Sequence, residues 1–520
     1  MLTAVQPACG HSIKHRYFSQ DPLTEQLMTT SMPADGVSLG PENARLKVDD
    51  PGQPVAAPDE NGNMLYVPTD PRFAQVQTFV AADRSLRFFE RHLQRKLDWA
   101  FGREQMLIHP HAGNTINAFY NRQEGSINFY TFNAQELGKT INSGHSAEIV
   151  AHESGHALLD GVRPEWINCL EDATGGFHEA FGDILAFLVA LEEPRNLDKV
   201  LAETGGDLKR PNSVARLAEE VSRALWDELD MERPHHDYLR NANNALVNAD
   251  PTTLPPDPPN ESELGRAVHN YSRVMTGAAW DVLDSFHRQY QAQGFGVRQS
   301  LEKARETVGA LVIRSLDFCP VGHLPSYGDF ARALLEVDRR DFDGQHREML
   351  TNLMQARNIH PPEQQPVPAL TLPEDGTTPF GAQRFLELHR DELGIAPEVP
   401  LTFERSYANE LGERFVLYRY DRNVAVREDL SAVAQGGLLL VFDGDGSLSY
   451  RHFNELTPAA EGRLREAALS QLAAGQIRTD SVLSGEVDLS GMLQEDGQPY
   501  QGYLSVEPQG TVIKASPVRA

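Results

Sequence analysis

The chain is 520 residues long and 40% hydrophobic, and its 47 Lys+Arg against 74 Asp+Glu give a formal net charge of −27. That length exceeds what one hydrophobic core organises, so roughly two to four structural units are expected. So acidic a surface repels phosphate backbones and anionic lipid heads, which argues against nucleic-acid or membrane-surface partners and favours divalent cations.

Cys9, Cys169 and Cys319 lie far apart and form no CxxC pair, which excludes a disulfide framework and leaves at most one long-range bridge. The N-terminus has no basic segment followed by a long apolar run, so no Sec signal peptide is read. No stretch of about 18 apolar residues is present to span a membrane. The expectation is a soluble protein, either cytoplasmic or exported by a route the sequence does not display.

Residues 1–65 are rich in Pro, Gly, Asp and Asn with little periodicity, and read as an extended or partly disordered lead-in. A helix is expected from about Arg72 to Phe101, with Phe79, Leu86, Phe89, Leu93 and Leu97 at helical spacing. Strand-like runs follow at MLIHPH, INAFYN and SINFYTF, the last two separated by a polar RQEG turn. From Ser146 the pattern becomes helical: SAEIVAHESGHALLDG reads as one helix closed by Gly161. FHEAFGDILAFLVALEE reads as a second, beginning after the Gly175-Gly176 break. Further helices are expected over 213–230, 267–292, 298–316, 327–338 and 343–357, with a Pro-rich loop at 250–263. A second Pro-rich stretch, 360–378, reads as a linker. Beyond it, 379–520 alternates helix and strand signals, and Asp443-Gly-Asp-Gly-Ser447 reads as a tight hairpin turn. The units expected are thus 1–65, 66–160, 161–359, the linker 360–378 and an α+β domain over 379–520.

His152-Glu153-Ser154-Gly155-His156 is an HExxH motif. Histidines at i and i+4 share one helix face and can converge on a cation. Glu153 points about 100° away and can reach a water at that cation without ligating it. Apolar Ile149, Val150, Ala151, Ala157 and Leu158 mark the helix as buried, where unpartnered histidines are costly. A third ligand is needed. The second helix offers Glu179 and Asp183, again i and i+4, one to ligate and the other to orient a ligating imidazole. His178 adjoins Glu179 but points elsewhere on that helix and is left out of the ligand set.

HESGHALLDG followed by GGFHEAFGDILA resembles the glutamate-ligand zincins, and most closely the thermolysin family, which pairs HExxH with an ExxxD helix. The resemblance implies His152, His156 and Glu179 as zinc ligands, Glu153 as general base and Asp183 as the partner of the His152 ring. Three further segments resemble the same family. IHPHAGNTINAFYN resembles its edge strand, implying that Asn117 and Ala118 bind substrate backbone. GRAVHNYSRVMTGAAW implies His269 as a transition-state residue, with Glu263 orienting it, and HHDYLRNANN implies Arg240 as a substrate-binding arginine. Ile149 and Leu239 then line an apolar pocket for the residue after the scissile bond. The implied protein is an α+β zinc endopeptidase acting on peptide or protein substrates. It would have a β-rich lobe, a helical lobe and zinc in the cleft between them.

The chain also departs from the family. No tyrosine lies between His156 and Asp183 to assist an oxyanion. Calcium is an open expectation: Glu148 sits where one ligand of the family's paired site would, but no acidic cluster follows Asp183. Residues 379–520 faintly resemble the family's propeptide modules, though these normally precede the catalytic domain. Two other readings stay open: a zinc-containing binding or inhibitory protein on a peptidase scaffold, and a zinc hydrolase of another amide.

Overall fold

A computed structural model of the chain describes residues 12–24, 27–33, 40–134, 138–223, 238–256, 258, 260–483, 500–507, 510–516 and 518–519. The fold is mixed α+β. It opens with strands β1 (Ser12–Tyr17), β2 (Met28–Pro33) and β3 (Leu46–Val48), followed by helix α1 (Pro71–Leu93). Helix α1 begins where the Asp70 side chain accepts from Arg72 N and Pro71 presets the first turn, and it stops at Gln94 in the left-handed region. Strands β4 (Met106–Gly113), β5 (Ala118–Asn121), β6 (Ser126–Ala134) and β7 (Lys139–Asn142) come next.

The helical stretch holds α2 (Ala147–Val162), α3 (Asp172–Ala190) and α4 (Pro194–Thr204), then the short strands β8 (Arg216–Leu217) and β9 (Arg240–Asn241). It continues with α5 (Val268–Tyr271), α6 (Arg273–Ala292), α7 (Val297–Ser315), α8 (Tyr327–Asp341) and α9 (Arg347–Ala356). Of the helix expected over 213–230, residues 213–218 form turns and β8 instead, 219–223 are helical, and 224–230 lie outside the described residues.

The remainder comprises α10 (Pro379–Leu388), β10 (Thr402–Ala408), β11 (Arg414–Arg427), β12 (Leu430–Phe442), β13 (Leu448–Asn454) and α11 (Pro458–Ala473). Strands β14 (Ile477–Leu483), β15 (Gly502–Glu507), β16 (Gly510–Ala515) and β17 (Val518–Arg519) close the chain. Asp443 N bonds Ser447 O at 2.9 Å, closing the expected hairpin turn between β12 and β13.

Two expectations are corrected. The described part of residues 1–65 is neither loose nor disordered: Ile13, Tyr17, Met28, Leu46, Ala56 and Met64 all join the main hydrophobic core. Side chains on α1 satisfy the backbone there. Gln77 both donates to and accepts from Phe18, and Gln75 does the same for Pro54 and Ala56. Backbone groups paired this way leave no period in the sequence to read. Nor does the Gly175-Gly176 pair break the second helix; it lies inside α3. A Cβ on Gly175 would meet Val268 Cγ1 at 2.8 Å, and one on Gly176 would meet the Tyr327 hydroxyl at 2.5 Å. The glycines there let α5 and α8 approach closely.

One sheet runs β17-β5-β6-β4-β3, with β7 paired to β6, and α1 and α2 pack near it. A second runs β10-β11-β12-β16-β15-β14, with β13 on β12. Alternate residues of β11 and β12 enter different cores. Phe415, Leu417, Leu439 and Val441 join the main core with the helices, whereas Val416, Tyr418, Leu438 and Leu440 face a second core with α10 and α11. Linker residues pack too: Leu372 joins the second core, and Gln365 bonds both backbone groups of Phe453. No single described helix is long and apolar enough to cross a membrane; α3 and α4 pass only as a pair bent by 97°.

Candidate metal centre and active site

Helices α2 and α3 cross at glycines. A Cβ on Gly155 would meet Gly182 Cα at 2.9 Å, and one on Gly182 would meet the His152 ring at 2.6 Å. The bare backbones let the histidine face of α2 lie directly on the carboxylate face of α3. His152 Nε2 approaches Glu179 Oε2 at 3.4 Å and His156 Nε2 approaches Glu179 Oε1 at 3.7 Å. The His152 and His156 rings stand perpendicular, with centroids 4.8 Å apart. Among the described residues, these three form the only group of His, Cys, Asp or Glu donors lying within 4.8 Å of one another.

All three are buried: His152 is 3% exposed, His156 0% and Glu179 1%. The donor set, two imidazoles and one carboxylate with no thiolate, fits zinc or another divalent transition ion. Glu153, also buried, has Oε2 with no hydrogen-bond partner among the described residues.

The surrounding contacts fix the ligand rings. His152 Nδ1 lies 2.9 Å from Asp183 Oδ1. Arg240 in turn donates to Asp183 through Nε and Nη2, each at 2.9 Å. With Asp183 holding Nδ1, the Nε2 side of the ring faces Glu179. His156 Nδ1 lies 3.2 Å from His178 Nδ1. His178, set aside in the sequence, therefore positions a ligand ring. The signal was there: a histidine in an otherwise apolar, buried helix one residue from a ligand.

Charges in the cluster move one another. Burial alone would depress His152, but hydrogen bonds to Asp183 and Glu179 outweigh it and raise its pKa to about 9. Burial pushes Glu153 up to about 8, against the pull of His152, with Glu179 adding to the rise. Burial also opposes ionisation of Glu179, yet His269, His156 and His152 together hold it well below the usual carboxylate range. Asp183 stays low against burial because of Arg240 and His152.

His269, on α5, reaches Glu179 Oε2 at 3.3 Å with its side chain 43% exposed, so it borders both the buried centre and solvent. Glu263, expected to orient it, is instead exposed, and its carboxylate accepts from Asn260 Nδ2 at 3.1 Å. The loop carrying Glu263 is held through its backbone: Arg273 donates to the Glu261 and Glu263 carbonyls. Ala118 begins β5, with its N–H donating to the Asn117 side chain, and Ser143 Oγ donates to the Asn117 carbonyl. Ile149 is buried in the main core, while Leu239 is 41% exposed, so the two do not enclose one dry pocket.

Glu148 opens α2 one turn before His152. Its neighbours come from elements the sequence did not connect to it: Gln20 Nε2 donates to Oε1 and Ala218 N to Oε2. Burial, then Asp21 and Glu219, raise its pKa well above the ordinary carboxylate value. Among the described residues these carboxylates do not converge at ligand spacing, so the calcium expectation gains no donor cluster there. Cys169 and Cys319 are buried and form no disulfide, and Cys9 lies outside the described residues. Compared with family models and with curated proteins, the chain matches none.

Proposed function

We propose that this chain is a zinc-dependent endopeptidase, with a thermolysin-like two-lobe arrangement around the α2–α3 crossing. The observation that carries the reading is the buried His152–His156–Glu179 cluster, with Glu153 beside it and His269 at its solvent side. Buried donors of this kind are costly without a cation. A purely structural zinc site needs neither an extra buried carboxyl nor a half-exposed histidine. Zinc held there supplies Lewis acidity, polarising a substrate carbonyl and acidifying water at the site.

The chain's own residues do the rest. Glu153 takes a proton from the attacking water as the new C–O bond forms, then delivers it to the leaving nitrogen as the C–N bond breaks. The carboxyl holds the proton between the two steps. His269 donates to the oxygen on which negative charge develops. Asp183, backed by Arg240, keeps the His152 ring in its ligating tautomer. The hydrogen bonds of Arg240 run through Nε and Nη2, which leaves Nη1 to donate to a peptide carbonyl. The Asn117–Ala118 start of β5 offers backbone groups to an extended peptide.

The test is hydrolysis of an unstructured protein such as casein by the purified chain, with metal analysis alongside. About one zinc per chain, activity lost to a chelator and activity restored by zinc are expected. Zinc-loaded protein without hydrolysis would overturn the reading.

A further inference from the structure

Strand β17 stands apart from the domain that supplies it. Strands β14, β15 and β16 belong to the second sheet, but β17 leaves that sheet and pairs antiparallel with β5, Val518 opposite Asn121 and Arg519 opposite Tyr120. It becomes the edge of the sheet that borders the candidate active site. Tyr120 is also the residue whose backbone lies against the Glu153 carboxylate.

The register sets a direction. Because the pairing is antiparallel, the chain from Val518 to Arg519 runs from Asn121 towards Ala118. Among the described residues the pairing covers Tyr120 and Asn121 and does not extend to Ala118. A peptide laid along β5 in the same sense would place the residues upstream of its Ala118 contact opposite Tyr120 and Asn121. Those positions are the ones β17 holds.

We infer that β17 is an intramolecular competitor for extended peptides, occupying the stretch of β5 that receives residues upstream of the cut. The inference rests on the proposed peptidase reading for the meaning of the cut, but the competition itself is a binding event. A short tether gives the strand an effective concentration of about millimolar, enough to raise the apparent KM for any peptide that must displace it. A main-chain ladder makes such a competitor indifferent to side-chain sequence. The site is thereby left open to short peptides bound at and beyond Ala118 and screened against long ones.

The experiment compares the full chain with a double variant, Val518→Pro and Arg519→Pro, which removes both backbone donors while keeping every other residue. A variant ending at Ser516 serves as the second form. The first readout is fluorescence anisotropy of a labelled peptide with the sequence of residues 514–520, added to zinc-loaded protein. Saturable binding to both variants, at least about tenfold tighter than to the full chain, is expected. The second readout is steady-state kinetics: KM for a peptide with four residues upstream of the cut falls in the variants, kcat holds, and a substrate with one upstream residue is unaffected. Equal peptide binding by all three forms, or a KM change independent of upstream length, would overturn the inference. Tighter binding without hydrolysis by any form would instead sink the peptidase reading and leave the competition standing.

Discussion

The α2–α3 crossing and the paired stretches 415–418 and 438–442 of the β11–β12 ribbon are both buried, and they are buried in opposite ways. The crossing sinks His152, Glu153, His156, His178, Glu179 and Asp183 below the surface. The ribbon sinks an unbroken apolar run, Leu438 to Phe442, whose alternate residues serve two cores. Burying apolar surface stabilises by itself, about 1.5–3 kcal/mol per large side chain, whereas a buried ionisable group needs a partner or a reason. The ribbon is where the chain gains stability and the crossing is where it spends some.

The sheet that contains the ribbon also reaches the helical part of the molecule. Arg405 on β10 donates to the Gly161 and Val162 carbonyls, at the open end of α2, where a cation complements the helix dipole. Arg314 bridges Glu413, Asp341 and Gln94, and the Tyr450 hydroxyl donates to the Phe318 carbonyl. The largest expected effect follows. A chain cut within 360–378 loses Phe415, Leu417, Leu439, Val441 and Tyr450 from the main core. At the per-residue value above, that is on the order of 10 kcal/mol, comparable to the whole stability of a domain. The truncated protein should accumulate as insoluble material, and soluble truncated protein that binds zinc would show that the ribbon is an accessory.

Within the crossing, effects should rank by closeness to the reaction. Glu153→Gln keeps the volume but cannot carry the proton, and should lower kcat by about 10³-fold or more with zinc content unchanged by metal analysis. His269→Ala should lower kcat by about 10²-fold with little change in KM. His178→Ala, which removes the group beside the His156 ring, should weaken zinc affinity about 10- to 100-fold by competition with a chromophoric chelator. His178→Asn, still able to meet Nδ1, should recover most of that. An affinity unmoved in both would make His178 packing alone.

The same contrast explains what was legible. The crossing announced itself because HExxH and Glu-x-x-x-Asp place like groups on one face by helical geometry alone. The hairpin β5–β6 and the Asp443–Ser447 turn were legible from local turn chemistry. What escaped depended on pairs distant in sequence. The lead-in is ordered by Gln75 and Gln77 of α1, Glu263 is tied to His269 by resemblance alone and bonds Asn260 instead, and β17 joins a sheet hundreds of residues away. No period or motif encodes such pairings.

The smallest effect separates the two ends of α2. Around His152 the donors converge; around Glu148 the carboxylates of Asp21 and Glu219 crowd without meeting at ligand spacing. Burial first, with Glu220 and Glu219 adding, raises Asp21 to about 7 although Leu23 N and Glu220 N donate to its Oδ1. Burial likewise raises Glu219 to about 7. An acid whose pKa is raised by folding contributes stability that is fully present below its unfolded pKa of about 4. That contribution is lost as pH rises from there to the folded value near 7. Asp21→Asn keeps an oxygen for both N–H donors and carries no charge at any pH. It should therefore stabilise the chain at pH 8, by on the order of 1–3 kcal/mol in urea denaturation, with the gain fading towards pH 4. A variant less stable than the parent at pH 8 would break the distinction, and a parent stabilised by added calcium only when Asp21 is present would make this end of α2 a second cation site.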